Sequence, residues 1–126
     1  MADPMRIALT GMRAAETRVA VAADNTANQL STAPAPKTGE SYQGYTPKTV
    51  DTVSQVRGGV RTQINPADPA FTLETKPGQT EPTAFPNVDL AAEQVQMMTA
   101  QHAYQANANI IRTQQDMDKT LLDIKS

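Results

Sequence analysis

The 126-residue sequence predicts a mainly α fold. Long N- and C-terminal helices are expected to pair as a coiled-coil hairpin, with a Pro/Gly-rich extended and β-hairpin segment between them. Three observations carry that expectation. Apolar or small residues recur at helical spacing near both ends. The middle, 31–89, holds eight of the nine prolines and five of the six glycines. From Asp89 onward neither residue type occurs again. The chain divides accordingly into 1–30, 31–88 and 89–126.

In the first segment, Met5, Ala8, Met12, Ala15, Val19, Ala22 and Thr26 follow one another in steps of three and four, the spacing of a coiled-coil seam. Arg6, Arg13 and Asp24 fall off the seam and can stay solvated. Pro4 suits the first helical turn, where a missing N–H leaves no bond unmade. Gly11 costs a helix interior about 1 kcal/mol relative to Ala. It reads either as a tolerated weakness or as a point where another helix comes close. Asn28 is expected to close the helix, since Asn can adopt the left-handed conformation at a C-terminus.

In the middle, "STAPAPKTGESYQGY" reads as a flexible or extended connector. "TVDTVSQVRGGVRTQI" is rich in Val and Thr and predicts a β-hairpin with a two-glycine turn at Gly58-Gly59. The following "NPADPAFTLETKPGQTEPTAFP" carries five prolines. It is expected to run extended over an underlying surface and not to supply a central strand.

The last segment opens on Asp89, a good N-cap, and Glu93 favours the positive end of the helix. Met97, Tyr104 and Ile111 form one seven-residue series, and Ile110, Met117 and Ile124 a second, with Leu121 alongside. The apolar seam therefore shifts by one position partway along. A helix from Leu90 to Ile124 spans about 52 Å at 1.5 Å per residue. Such a length implies a partner.

Composition points the same way. Leu, Ile, Val and Phe number only 21, while 19 alanines supply much of the 39% hydrophobic content. A chain of this kind gains little apolar burial by folding alone, against roughly 1–2 kcal/mol per residue of backbone ordering. It is expected to complete its burial against other subunits. The stretch after Glu93 is informative here: eighteen residues, 94–111, carry no charge, although eight of them are polar. Amide side chains can satisfy buried partners without the desolvation cost of a charge, and charges are depleted at interface centres. Asn25, Asn28, Asn107 and Asn109 read as amides that bond across subunits. The plainer alternative is that Asn28 caps its helix and the others bond locally or face water.

Several chemistries find no support. With no cysteine there is no disulfide, thiolate nucleophile or Cys-based metal site. His102 is the only histidine and has no carboxylate pair near it in sequence, and no phosphate-binding glycine loop occurs. Neither catalysis nor a metal or cofactor is expected. "MADPMRIALTGM" lacks the basic and apolar regions of a cleavable secretory signal. No apolar run suits membrane insertion, and the scattered basic residues suggest no nucleic acid.

Residues 8–32, "ALTGMRAAETRVAVAADNTANQLST", and 85–111, "FPNVDLAAEQVQMMTAQHAYQANANII", resemble the bacterial flagellar axial proteins. More narrowly, they resemble the C-type proximal rod proteins of the basal body. Ala8-Leu9, Gly11-Met12, Ala15 and the Asn25–Asn28 "NTAN" follow the rod signature. Pro86-Asn87-Val88-Asp89 and Tyr104-Gln105-Ala106-Asn107 stand at its Pro-Asn-Val-Asp and Tyr-x-Ala-Asn elements. "GGVRTQI" is similar to the family's middle region. Thr26 replaces an Ile, Ala92 a common Glu, and 65–85 is shorter than usual.

The resemblance implies a structural subunit of the rod, the drive shaft that joins the motor's membrane ring to the distal rod and hook. Terminal helices would assemble into a tube, transmit torque and leave a central route for exported subunits. Partners would be other rod subunits, the basal-body membrane ring and the flagellar type III export apparatus. The rod lies in the periplasm, and its subunits are exported without a cleaved signal. Free subunits are expected to be partly unfolded and to order on assembly. Contacts between subunits are expected at Met5, Leu9, Met12, Val19, Asn25, Asn28, Met97, Tyr104, Asn107, Ile111, Met117 and Leu121. The rival readings are another axial or needle-like type III subunit, and a soluble helical adaptor or export chaperone.

Overall fold

The computed structural model describes residues 3–125. Helix α1 spans Pro4–Asn28, and α2 spans Leu90–Lys125. Between them lie β1 (Ala33–Pro34), β2 (Lys48–Ser54), β3 (Val60–Pro66), β4 (Phe71–Glu74) and β5 (Thr83–Pro86). The expectation of a mainly α fold is corrected. Helix accounts for 50% of the structure and two small antiparallel sheets for 20%, so the molecule is two helices with a β-rich middle.

Both helix starts follow from their caps. The Asp3 carboxylate accepts from the Met5 N–H, with Pro4 in the first turn. The Asp89 carboxylate accepts from Ala91 and Ala92. Helix α1 ends at Asn28 as expected, but not through a left-handed residue. No residue other than glycine has positive φ among the described residues, and Asn28 instead folds its amide back onto the Asp24 carbonyl, at 2.9 Å.

The two sheets are separate. β2 and β3 pair from Lys48 opposite Pro66 to Ser54 opposite Val60. Their connection is longer than a two-glycine turn: it runs 55–59, closed by Gly58 N–H to the Gln55 carbonyl and Gln55 N–H to that of Gly59. Gly58 and Gly59 take φ of 83° and 86°, which glycine adopts without penalty. The second sheet has the order β1-β5-β4. The proline-rich stretch thus does supply a central strand, β5, contrary to expectation. Four residues suffice, with Pro82 before the strand and Pro86 at its last position, so neither interrupts the middle of the ladder.

The helices run side by side in opposite directions: Asn25 meets Glu93, and Gly11 meets Asn107. The expected coiled-coil hairpin is corrected by what lies buried. In α1 the buried residues are Ala8, Ala14, Ala15, Val21, Ala22 and Asn25, whereas Val19 is exposed and Met5, Met12 and Thr26 are half-buried. In α2 only Ala100 is buried. Small residues on the line of Ala8, Gly11, Ala15, Ala22 and Asn25 let the two backbones come close. A second face of α1 is taken by the β2–β3 hairpin, at Thr10, Arg18 and Asn25. Burial is therefore divided between two faces, and no single seam of large side chains forms.

The apolar core is correspondingly slight. Among the described residues it consists of six alanines and Val21. Each buried methyl contributes about 0.8 kcal/mol, far less than a buried leucine or phenylalanine. Large hydrophobics are left outside, and more than half of the exposed ones lie on α2.

Candidate functional site

No helix is long and apolar enough to cross a membrane, and no three His, Cys, Asp or Glu residues form a metal-binding group among the described residues. His102 is exposed. The features that stand out are a polar junction that locks the three parts of the chain together and an apolar surface that α2 leaves open.

The junction is built around Asn25, the largest fully buried side chain. Its amide mimics a peptide group added beside β2: Oδ1 accepts from Lys48 N–H at 2.9 Å, and Nδ2 donates to the Lys48 carbonyl at 2.8 Å. Nδ2 also donates to Glu93 Oε1 of α2 at 2.7 Å. The Tyr45 hydroxyl lies 2.9 Å from Oδ1 and 3.0 Å from Asp24 Oδ2, so one proton is shared between two acceptors. All four hydrogen-bonding positions of the amide are used. Lys48 Nζ pairs with Asp24 at 3.1 Å on the outer side. One residue thus joins α1, the connector, β2 and α2.

The charges around this junction set two titrations. Lys48, then Tyr45, hydrogen-bonds the Asp24 carboxylate and holds it below the usual carboxylate range. Burial, and then the hydrogen bond and charge of Asp24, push Tyr45 up to about 12. A raised value means that the fold favours the protonated phenol. That contribution is complete below 10.0, the ordinary value, and is lost as pH rises toward about 12. Asp24 acts in the opposite sense: its contribution is present above the ordinary range and is lost as pH falls through its lowered value. Among the three tyrosines, absorbance titration is expected to show a late step above pH 11 that Tyr45→Phe removes. Retention of that step in the variant would place the late titration elsewhere.

The open surface runs along the helix pair. On the flank away from the β2–β3 hairpin, α1 and α2 enclose a groove of about 950 Å³. Ala15, Val19, Met97, Met98, Ala100 and Tyr104 line it, and Glu16 is the one charged residue of its lining. The charge-free run in the sequence corresponds largely to the α2 wall of this groove. Beyond the groove α2 outruns its partner. The register set by Gly11 with Asn107 and Asn25 with Glu93 places Pro4 opposite Gln114. Residues 115–125 therefore extend past the start of α1, by about 16 Å at 1.5 Å per residue.

The residues expected at contacts scatter across these features. Asn25 and Asn28 are bonded within the chain. Asn107 donates to the Ala103 carbonyl and lies against Gly11, so the close approach is made here by the chain's own second helix. Met5, Met12, Met97 and Ile111 are half-buried. Leu9, Val19 and Tyr104 are moderately exposed, at 41%, 39% and 38%, and Met117 and Leu121 stand out on the overhang. Sequence reasoning missed Tyr45, Lys48 and Glu93 as partners of Asn25. Nothing local signals them, because the bonds join positions twenty or more residues apart.

Residues 84–124 match the family model described as flagellar basal body rod FlgEFG protein, C-terminal. The match runs from β5 to nearly the end of α2, and so takes in the α2 wall of the groove and almost all of the overhang. The likeness to a flagellar basal-body rod protein covers about a third of the chain. No curated protein matches the chain.

Proposed function

We propose that this chain is a structural subunit of the proximal rod, of the C type, which self-assembles through its terminal helices and transmits torque around an export channel. One observation carries the reading. A 36-residue helix within the rod-type segment buries a single alanine and presents its large side chains outward. A soluble monomer gains nothing from such a surface, whereas a subunit packed among others covers it. The twelve contact residues divide by their surroundings. Tyr104, Met97 and Val19 offer a groove to neighbours, and Met117 and Leu121 an unpaired ridge. Asn25 and Asn28 act indirectly, by fixing the ends of the helices. Partners are other rod subunits, the membrane ring and, during export, the type III apparatus. The subunit works in the periplasm and orders fully only among its neighbours.

Mass spectrometry of purified hook–basal bodies, from cells with and without the gene, tests the reading. Intact bodies are expected to contain the protein, and rod and hook are expected to be lost on deletion. A protein confined to the cytoplasm, with rods still assembled on deletion, would mean a helical adaptor or export chaperone. Tyr104→Asp places a charge on the groove wall, where the side chain is 38% exposed and makes little of the fold. It is expected to abolish assembly while leaving expression unchanged. Normal motility of that variant would exclude Tyr104 from the contact.

A further inference from the structure

The groove and the overhang of α2 are complementary to each other, yet too far apart to meet within one chain. The groove's α2 wall extends from Gln94 to Gln105, roughly 16 Å of helix. The overhang, 115–125, has nearly the same length. On it Met117, Leu121 and Ile124 share one face, at spacings of four and three, and are 50%, 65% and 77% exposed. Asp116, Lys119 and Asp123 lie on the opposite side, while Asp118 and Lys125 flank the apolar face beside Leu121. An apolar stripe laid into the nearly uncharged groove would leave the first three charges in water and place Asp118 and Lys125 at the rim of the contact, where they stay solvated.

We propose that the overhang of one copy seats in the α1–α2 groove of a second copy. The proposal rests on the assembly reading above and specifies its contact. Ridge and groove are different surfaces, so the contact is head-to-tail: each copy that receives an overhang presents its own to the next, and the series does not close on a pair. The area agrees with that arrangement. Three or four side chains bury a few hundred Å², well below the roughly 1,200–2,000 Å² of a stable pairwise interface. A single contact is therefore weak, and it persists where further contacts with neighbouring copies hold the same two chains together. With Glu16 in the groove lining and Asp118 and Lys125 at the rim of the ridge, association is expected to depend only modestly on salt.

The chain has no native cysteine, which makes disulfide trapping direct. Met98→Cys lies in the groove and Leu121→Cys on the ridge, both at exposed positions, 60% and 65%, so neither disturbs the fold. The two purified variants are mixed under conditions where circular dichroism reports the helices, and then oxidised. Leu73→Cys on β4, 54% exposed, replaces Leu121→Cys as the control. Mixed dimers of Met98→Cys with Leu121→Cys are expected to form roughly tenfold faster than with the control, because seating raises the local thiol concentration. Equal rates, or Leu121→Cys coupling only to itself, would overturn the contact. Equal rates for a chain that basal bodies contain leave the rod reading standing. Preferential coupling of a chain absent from basal bodies keeps the contact and removes the rod.

Discussion

Asn25→Asp is expected to destabilise the fold by about 3–5 kcal/mol, because an isosteric change removes two donors and buries a charge beside another. The Lys48 carbonyl and Glu93 Oε1, at 2.8 and 2.7 Å, would face an oxygen in place of the amide nitrogen. Each buried group left unpaired costs about 1–3 kcal/mol, and the new carboxylate would also stand close to Glu93 and Asp24. A core made of alanines has little reserve against such a loss. Urea unfolding followed by circular dichroism measures the change. Asn25→Ala, which removes the bonds without adding charge, is expected to cost about 2–3 kcal/mol. A midpoint unchanged in both variants would mean that the junction forms only in the assembly.

The second large effect is expected at Gly11. A Cβ at that position would lie 2.6 Å from Asn107 Nδ2 and 2.7 Å from Oδ1, distances that real side chains do not tolerate. Gly11→Leu adds three further carbons in the same direction, so the Asn107 amide must turn away and the interface repack, at about 2–4 kcal/mol. Gly11→Ala is the more discriminating variant. Helix propensity alone would stabilise it by about 1 kcal/mol, but the contact with Asn107 opposes that gain. Combined with Asn107→Ala the contact disappears, and the gain is expected to emerge. A double-mutant cycle in urea reads the difference as a coupling of about 1 kcal/mol or more. A full gain from Gly11→Ala by itself would show that the Asn107 amide yields without cost.

These two sites also show what the sequence could reveal. The starts of both helices are legible because their signals are local: Pro4 and Asp89 act within three residues of themselves, although Asp3, which caps α1, is not marked by the same reasoning. The β2–β3 hairpin was legible from alternating Val and Thr about a glycine pair. The fold class was misjudged for a physical reason. Helical periodicity identifies which residues share a face, but not whether a face meets a helix, a strand or water. The line of Ala8, Ala15 and Ala22 was read correctly as inward, and Met5, Met12 and Val19 were added to it because they continue the same steps of three and four. In the structure the small residues take the interior, and the larger ones border the groove or lie toward its side. The sheet β1-β5-β4 was hidden for another reason. Its strands are two to four residues long, shorter than any pattern of alternation can mark, and its central member ends on a proline.

The ties between the β2–β3 hairpin and α1 have a mechanical consequence. Val60 is fastened to Thr10, Thr52 to Arg18 and Lys48 to Asn25, three points spread over about 22 Å of helix. A lone helix under a sideways load bends by stretching the hydrogen bonds on its convex side. Here the hairpin acts as a splint: any curvature of α1 must also shear the fastenings or lengthen a two-stranded ribbon that is already extended. Two beams joined at intervals resist flexure far more than the same beams lying loose, because stiffness grows with the square of their separation. At the Asn25 end the splint is also fastened to α2 through Glu93, so a twist delivered to the middle of the chain is shared by both helices at one point.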